Sequence, residues 1–469
     1  TAARTADGKH YISWKEHRVD DSALGKLGLG GADGLAVADL DGDGRLDVVA
    51  VHEDCSNSVR VSFGTEDPDA WTSYTLSPLE GEERGSPTIP GGAEDVVVGD
   101  VNGDGRLDVV ACGEGGNVVY FEAPANPRAM ADWKRVSIAR RPAEKRKGQK
   151  HSYIRVDLGD LDGDGKLEVL GAHKGGTDWV CFRREGPDAK AESWKRLVIG
   201  KTRMPINIRA VDIDKDGDLD VLGGSRGESK IVLFENLGNA ADWAGKWKAR
   251  TLLSGRIGLP VPPSVTIGGA AAKVRRGDKW GSSGFMVKFA DLNGDGRPDI
   301  VTESKHSGAL FWMEGPASLD GEWKRHFIGH VIPEHATGLE LVDINGDGRL
   351  DLFVGGYSYT ARRIDTRSIA RPGTPCGRLA WFESGADPAR PWKRHDVSRR
   401  AQGMYDMFFA CDLNGDGLVD FLATRGNSSP QDGTIWLEQV RTEKPAPAFT
   451  SAWPPEQESR QQPIPVDGK

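Results

Sequence analysis

The sequence predicts an all-β chain, a seven-bladed β-propeller with calcium-binding AB loops, closed by its N-terminal strand in the last blade. Three observations carry this. A nine-residue acidic loop occurs seven times, apolar runs of strand length flank each copy, and the strand missing from the last repeat stands at the N-terminus. The chain has 469 residues, 61 of them glycine, and 38% are hydrophobic, which suits many short strands joined by tight turns.

The first loop reads Asp39-Leu-Asp-Gly-Asp-Gly-Arg-Leu-Asp47, with apolar stretches at 35–38 and 48–51 on either side. The loop therefore joins two adjacent strands, A and B, of one blade. A third apolar run follows, as at 118–122, 310–314 and 379–383, and a fourth is headed by Trp133, Trp194, Trp323 or Trp392. Four strands per repeat make a propeller blade. The seventh repeat ends after its third strand, near Trp436, and the segment 14–19 at the N-terminus, headed by Trp14, supplies the fourth. No sheet edge then stays open. The propeller is expected over 1–439. Residues 440–469, rich in Pro and Gln, are expected to form a poorly ordered extension.

Oxygen donors stand at loop positions 1, 3, 5 and 9. They are Asp39, Asp41, Asp43 and Asp47; Asp100, Asn102, Asp104 and Asp108; Asp160, Asp162, Asp164 and Glu168; Asp212, Asp214, Asp216 and Asp220; Asp291, Asn293, Asp295 and Asp299; Asp343, Asn345, Asp347 and Asp351; and Asp412, Asn414, Asp416 and Asp420. Hard oxygens in a flexible loop suit Ca²⁺, and Gly at positions 4 and 6 permits the sharp turn. No helices flank these loops and position 12 supplies no bidentate Glu, so the ions are expected to staple AB hairpins rather than to act in catalysis. The fourth loop has Lys215 in place of its first Gly and is expected to hold its ion least well.

These repeats resemble the FG-GAP/VCBS repeats of integrin α-chains and many secreted bacterial proteins. The resemblance covers nearly the whole chain. It implies the propeller fold but leaves function open, because that family holds both adhesion modules and enzymes.

The formal net charge is −9, yet the seven loops hold 25 of the 70 acidic residues and only 6 of the 61 basic ones. The remainder is basic, with 45 acidic and 55 basic residues, and a basic face draws anions. Basic clusters stand at 140–150, 273–279 and 362–371, on the face opposite the loops.

Strand A alternates, so its third residue before the loop lines the channel. Four of the seven there are charged: Asp157, Arg209, Lys288 and Glu340. Asp157 with Arg209, and Lys288 with Glu340, are expected to pair. Arg155, Tyr153 and Tyr405 follow one or two steps further out, and His151 and His335 precede strands A. Just after strand B stand His52, Glu53, His173, Lys174, Arg226, Lys305, His306, Tyr357 and Arg425. His17, His326 and His395 share one repeated strand position and are read as packing.

Such a cluster at one channel mouth matches β-elimination from a uronic acid sugar. A cation neutralises the sugar carboxylate, a base removes the neighbouring proton, and an acid protonates the leaving oxygen. His52 and His173 are the base or metal-ligand candidates, Tyr153 the acid, and Arg155, Lys174 and Arg209 the carboxylate clamp. His151 and His335 complete the catalytic set. Arg226, Lys305, His306, Tyr357, Tyr405 and Arg425 complete the binding set. The Trp-Lys-Arg-His strands at 323–326 and 392–395, with third strands such as Trp381-Phe-Glu383, are similar to those of rhamnose–glucuronate lyases and of the propeller domain of aldos-2-ulose dehydratase. Ulvan lyases are similar in architecture only.

Two alternatives stand beside the lyase: a non-catalytic adhesion propeller, and a metal-dependent sugar dehydratase or hydrolase with an additional channel metal held by histidines. The partner expected is an anionic carbohydrate and the chain a monomer. Nucleic acid is excluded because aromatic residues are only 7% and do not interleave with the basic loops. No apolar stretch reaches membrane-spanning length. Cys55, Cys112, Cys181, Cys376 and Cys411 lack metal-ligand spacing and are expected to be free thiols. The chain starts at Thr1 without a leader-like segment and is expected to be a mature secreted or periplasmic protein.

Overall fold

The computed structural model describes residues 3–54, 57–76, 92–139, 152–186, 190, 193–238, 247–255, 258, 260–262, 264–273, 282, 284–304, 308–358 and 376–467. Their strands form seven antiparallel sheets with four blade strands each, the blades of a β-propeller, together with one small three-stranded sheet. Among the described residues the helical content is one 3-10 turn, Met130–Asp132.

The chain divides into two compact units. The first is Ala23–Ser254 with Ser283–Phe285 and carries blades 1 to 4. Blade 1 is Gly30–Ala38, Asp47–Asp54, Ser58–Phe63 and Thr72–Thr75; blade 2 is Ala93–Gly99, Asp108–Gly113, Val118–Glu122 and Lys134–Ala139. Blade 3 is Tyr153–Gly159, Glu168–His173, Asp178–Arg184 and Trp194–Lys201; blade 4 is Pro205–Val211, Asp220–Ser225, Lys230–Asn236 and Trp247–Ser254.

Strands B and C lie inside each sheet with both faces covered, so they are apolar throughout rather than alternating: Val48, Val49, Ala50 and Val51 are all buried. Strand D is outermost and mixes exposed with buried positions, as in Trp194–Lys201. Blades pack through interdigitated aromatics. Trp179 of blade 3 meets Phe234 of blade 4 edge-on, with centroids 5.0 Å apart.

The second unit carries blade 5 (Val287–Ala290, Asp299–Ser304, Ala309–Glu314, Lys324–His330), blade 6 (His335–Val342, Asp351–Tyr357, Gly377–Glu383, Lys393–Arg400) and blade 7. In blade 7 the strands Phe408–Cys411, Asp420–Arg425 and Gly433–Thr442 are joined by Tyr11–Asp21, with Trp14 opposite Gln439. Trp14 is buried between Phe353 and Phe421, centroids 5.1 and 5.3 Å away.

The C-terminal segment departs from the poorly ordered extension expected of it. Phe449–Thr450 pairs in parallel with Tyr11–Asp21, and Val466–Asp467 pairs with Ser264–Ile267. Trp453 joins the apolar cluster that holds Trp14. Composition suggested disorder, but one large aromatic and one glutamate, Glu458, give the tail a buried anchor.

In the Asp-rich loops, position 1 shapes the turn: Asp39 accepts the amides of Gly42, Asp43 and Gly44 at 2.8 to 3.1 Å. Position 9 ties the loop to the end of strand C. Asp47 accepts from the amides of Leu40 and Gly64, Asp108 from Val101 and Ala123, and Asp351 from Ile344 and Ser384. At position 4 six loops have Gly with φ between 69° and 80°, whereas Lys215 holds φ 60°. A side chain there is strained by about 1–2 kcal/mol, and glycine's extra freedom in the unfolded chain takes back part of any relief. Lys215→Gly is therefore expected to stabilise the chain by about 0.5–1 kcal/mol, read as a higher thermal midpoint.

The basic residues at 140–150, 275–279 and 362–371 lie outside the described residues, as do His151, Lys305, His306 and Cys55. The other four cysteines are free.

Candidate functional site

Within the first unit, the strand ends opposite the Asp-rich loops bring together three carboxylates and two cations. Glu53 is the last residue but one of strand B of blade 1, Glu94 the second of strand A of blade 2, and Glu114 follows strand B of blade 2. Each offers an oxygen within 4.8 Å of the others. Lys174, just after strand B of blade 3, donates its ammonium to Glu114. Arg155, in strand A of blade 3, is buried, reaches the backbone carbonyl of Glu94 at 3.5 Å and lies 3.8 Å from Asp95.

These groups do not titrate alike. Burial pushes the Glu94 carboxyl up to about 8, and the nearby charges of Glu53 and Glu114 add to the shift against Lys174 and Arg155. Burial therefore favours the protonated form of Glu94, with carboxylate oxygens of its neighbours within reach. A proton donor and proton acceptors side by side can move protons to and from a bound molecule. The group can also hold a hard divalent cation, for which three carboxylates at this spacing are suitable donors.

Sequence reasoning found Glu53, Lys174 and Arg155 but missed Glu94 and Glu114. The signal for Glu114 was present: Glu53, Glu114, Lys174 and Arg226 each stand fourteen residues after the first Asp of their own loop. Glu94 has no such periodic marker.

Tyr153 and His173 stack with centroids 4.8 Å apart, and Gly176 leaves room for the imidazole, which a Cβ there would meet at 2.3 Å. The Tyr153 phenol is buried and raised in pKa, and it is hydrogen-bonded to Arg196. As an acid it is thus committed to a structural partner. Arg209 donates to the carbonyls of Val156 and Ile208 at 3.0 and 3.3 Å beside Asp157, so its guanidinium holds two strands A together instead of a substrate. Arg226 lies over Phe285 at 5.5 Å, and Arg155 over the same ring at 4.6 Å.

His52 is a correction. Its ring is fully buried, and among the described residues neither nitrogen has a hydrogen-bond partner. Burial, aided by the charge of Arg60, pushes its pKa down to about 3, so it is neutral at pH 7. Strand alternation turns it to the face opposite Val49 and Val51, and the ring has no exposed surface with which to meet a substrate. A folded pKa below the unfolded ~6.5 makes its burial harmless above that pH and destabilising as pH falls toward 3. His52→Gln is expected to flatten that loss, with a relative gain of about 2 kcal/mol at pH 5, measured as the difference between wild-type and variant midpoints across pH.

In the second unit, Lys288 pairs with Glu340 at 2.7 Å. His335 and Tyr357 face each other across strands A and B of blade 6, with centroids 6.4 Å apart, and both are buried. Tyr405 is a further correction: it packs in the apolar cluster with Phe408 and Phe421, and burial raises its pKa. Arg425 is another. Its guanidinium has no exposed surface and is bound by Glu16 at 2.9 Å and Glu458 at 2.7 Å, so it is a structural ion.

The repeated histidines read as packing each stack on the Trp of the neighbouring strand and bond a Glu. His17 lies on Trp436 with Glu438, His326 on Trp312 with Glu314, and His395 on Trp381 with Glu383, at 2.7 to 2.9 Å.

Of the Asp-rich loops, three place carboxylate oxygens within 4.8 Å of one another: Asp39, Asp41 and Asp43; Asp160, Asp162 and Glu168; Asp212, Asp214 and Asp216. Their donor sets fit a divalent cation of the calcium type.

A model of the FG-GAP-like repeat matches residues 39–111, 160–223 and 280–354. The chain carries FG-GAP-like repeats. No curated protein matches it. Among solved structures, several are similar at low identity. One is BBS1N in complex with ARL6DN (10% identity, 88% of this chain and 94% of that one, TM-score 0.47). Another is YCF48 from Cyanidioschyzon merolae (9%, 91% and 98%, TM-score 0.47). A third is an Agrocybe aegerita lectin that recognises non-reducing terminal N-acetylglucosamine (15%, 81% and 94%, TM-score 0.44).

Proposed function

We propose that this FG-GAP-like propeller is a carbohydrate-active carbon–oxygen lyase, acting by β-elimination on an anionic, uronic-acid-containing glycan at the Glu53–Glu94–Glu114–Lys174 cluster. The observation that carries this is the juxtaposition of the Glu53, Glu94 and Glu114 carboxyls, with oxygens within 4.8 Å of one another, and the Lys174 ammonium; burial favours the protonated form of Glu94. In this reading the Glu53 carboxylate takes the proton next to the sugar carboxylate, and a carbon–carbon double bond forms as the glycosidic C–O bond breaks. The Glu94 carboxyl gives its proton to the departing oxygen. Lys174, half-released from Glu114, balances the sugar carboxylate. The Asp-rich loops serve as calcium staples of the AB hairpins.

A second reading, hydrolysis, is favoured by the carboxylate spacing alone. Oxygens within 4.8 Å of one another approach the ~5 Å separation of retaining glycosidases. Incubation with a panel of glucuronate-containing polysaccharides separates the two. Elimination yields an unsaturated uronate with a new ultraviolet absorbance, hydrolysis yields reducing ends without it, and tight binding with neither product sinks both in favour of an adhesion module.

A further inference from the structure

The Asp-rich loops differ at their third position. Loops 2, 5, 6 and 7 carry Asn102, Asn293, Asn345 and Asn414 there, whereas loops 1, 3 and 4 carry Asp41, Asp162 and Asp214. In the Asn loops the side-chain amide donates within the loop, Asn102 to Asp104 at 2.9 Å, Asn293 to Asp295 at 2.9 Å, Asn345 to Asp347 at 3.2 Å and Asn414 to Asp416 at 3.5 Å, although Oδ1 of Asn345 has no donor among the described residues. A carboxylate at that position cannot donate. It adds a charge that needs a cation from elsewhere.

In loop 1 that cation comes from the next blade. Arg128, in the turn before strand D of blade 2, donates its Nε to Asp41 at 2.5 Å and its Nη2 to Asp43 at 3.4 Å. The guanidinium is braced over the Phe63 ring at 4.4 Å. Loop 3 has a looser version, with Arg183 at 3.5 Å from Asp162. A second feature of loop 1 points to a ligand. The Asp41 side chain is only 9% exposed, and its Oδ1 has no hydrogen-bond partner among the described residues. A buried carboxylate oxygen without a donor is an unspent ligand, since leaving it so is unfavourable. It stands beside Asp39 and Asp43, with oxygens of all three within 4.8 Å.

We propose that Arg128 is the resident counter-ion of loop 1, and that a hard divalent cation taken up by Asp39, Asp41 and Asp43 displaces it. This rests on the calcium reading of the loops given above. A guanidinium bonded to Asp41 and Asp43 and a divalent cation held by the same carboxylates repel each other at a separation of a few ångströms. One must leave. Cation uptake at this loop is thus coupled to a side chain of the neighbouring blade, which the Asn loops have no counterpart for among the described contacts. Released, Arg128 faces an open cleft of about 890 Å³ that Arg45, Thr65, Glu66, Asp67 and Asn126 also line.

The test is calorimetric titration of calcium chloride into the full chain, its Arg128→Gln and Asp41→Ala variants and the double variant, with thermal midpoints in chelator and in calcium. Arg128→Gln is expected to lower the midpoint in chelator, because Asp41 loses its partner. It is expected to tighten one calcium site by about tenfold, the order of one charge-assisted hydrogen bond no longer in competition. Asp41→Ala, which leaves no oxygen donor at that position, removes that site, and adding Arg128→Gln to it changes nothing further. If Arg128→Gln does not fold, Arg128→Lys, which keeps the charge but not the fork, is expected to tighten the site by a smaller factor. A calcium isotherm indifferent to both changes at Arg128, or a tightening that survives in the Asp41→Ala background, overturns the proposal alone. No calcium binding by any variant overturns it together with the calcium reading.

Discussion

Replacing Glu94 with Gln is expected to slow glycan cleavage by roughly a hundred- to ten-thousandfold, the usual worth of a positioned proton donor. The amide keeps the shape of the carboxyl and its ability to donate a hydrogen bond, so binding and thermal midpoint should change little. What it cannot do is give up a proton to a leaving oxygen. The pH profile carries the sharper expectation. Glu94 must be protonated to act, and burial among Glu53 and Glu114 holds its carboxyl at about 8. The wild-type rate should therefore fall above that pH, beyond any acid limb set by protonation of the base, while the residual rate of Glu94→Gln should lack that alkaline fall. Glu94→Asp should keep the fall at a lower rate. A descending limb that persists unchanged in the Gln variant assigns the proton to another group and removes Glu94 from the mechanism.

What the sequence disclosed follows from which interactions are periodic. The seven loops, the apolar runs of strands B and C and the tryptophans of strand D recur because each blade solves the same packing problem, so their period was visible without a structure. Lys288 with Glu340 was also readable, because adjacent blades place one repeat position side by side, and they meet at 2.7 Å. The site was legible only in part. Lys174 and Glu53 stand at a repeat position that faces solvent, but the same kind of argument gathered His52, Tyr405 and Arg425, which are buried. Alternation tells which face of a strand a residue takes. It does not tell whether that face meets water or another sheet. His52 is buried and neutral beside the charge of Arg60, and Arg425 is neutralised by Glu16 and by Glu458 from a tail whose composition suggested no packing at all. Non-periodic partners, Glu94 and Glu458 among them, leave no trace in a repeat.

That tail supplies the second large effect. Glu458→Gln is expected to destabilise the chain by about 3 kcal/mol at pH 7, in line with breaking one arm of a buried ion pair. Arg425 has no exposed surface and divides its donors between Glu16, at 2.9 and 3.1 Å, and Glu458, at 2.7 and 3.1 Å, with the Trp453 ring 4.7 Å away. Burial works against ionisation of Glu458, but the hydrogen bond and charge of Arg425 outweigh it and hold the carboxyl at about 2. The folded value lies below the unfolded one, so the contribution is complete above about 4.5 and drains as pH falls toward 2. Wild-type and variant midpoints should thus differ most near neutrality and converge in acid. The same loss should loosen the strap that lays Phe449–Thr450 along Tyr11–Asp21, so limited proteolysis should cut the variant between 443 and 462 well before the wild type. A difference in midpoint that does not change with pH would mean that Glu458 stabilises by shape and not by charge. An uncut tail in a destabilised variant would mean that Trp453, packed in the cluster of Trp14, holds the strap without help from the ion pair.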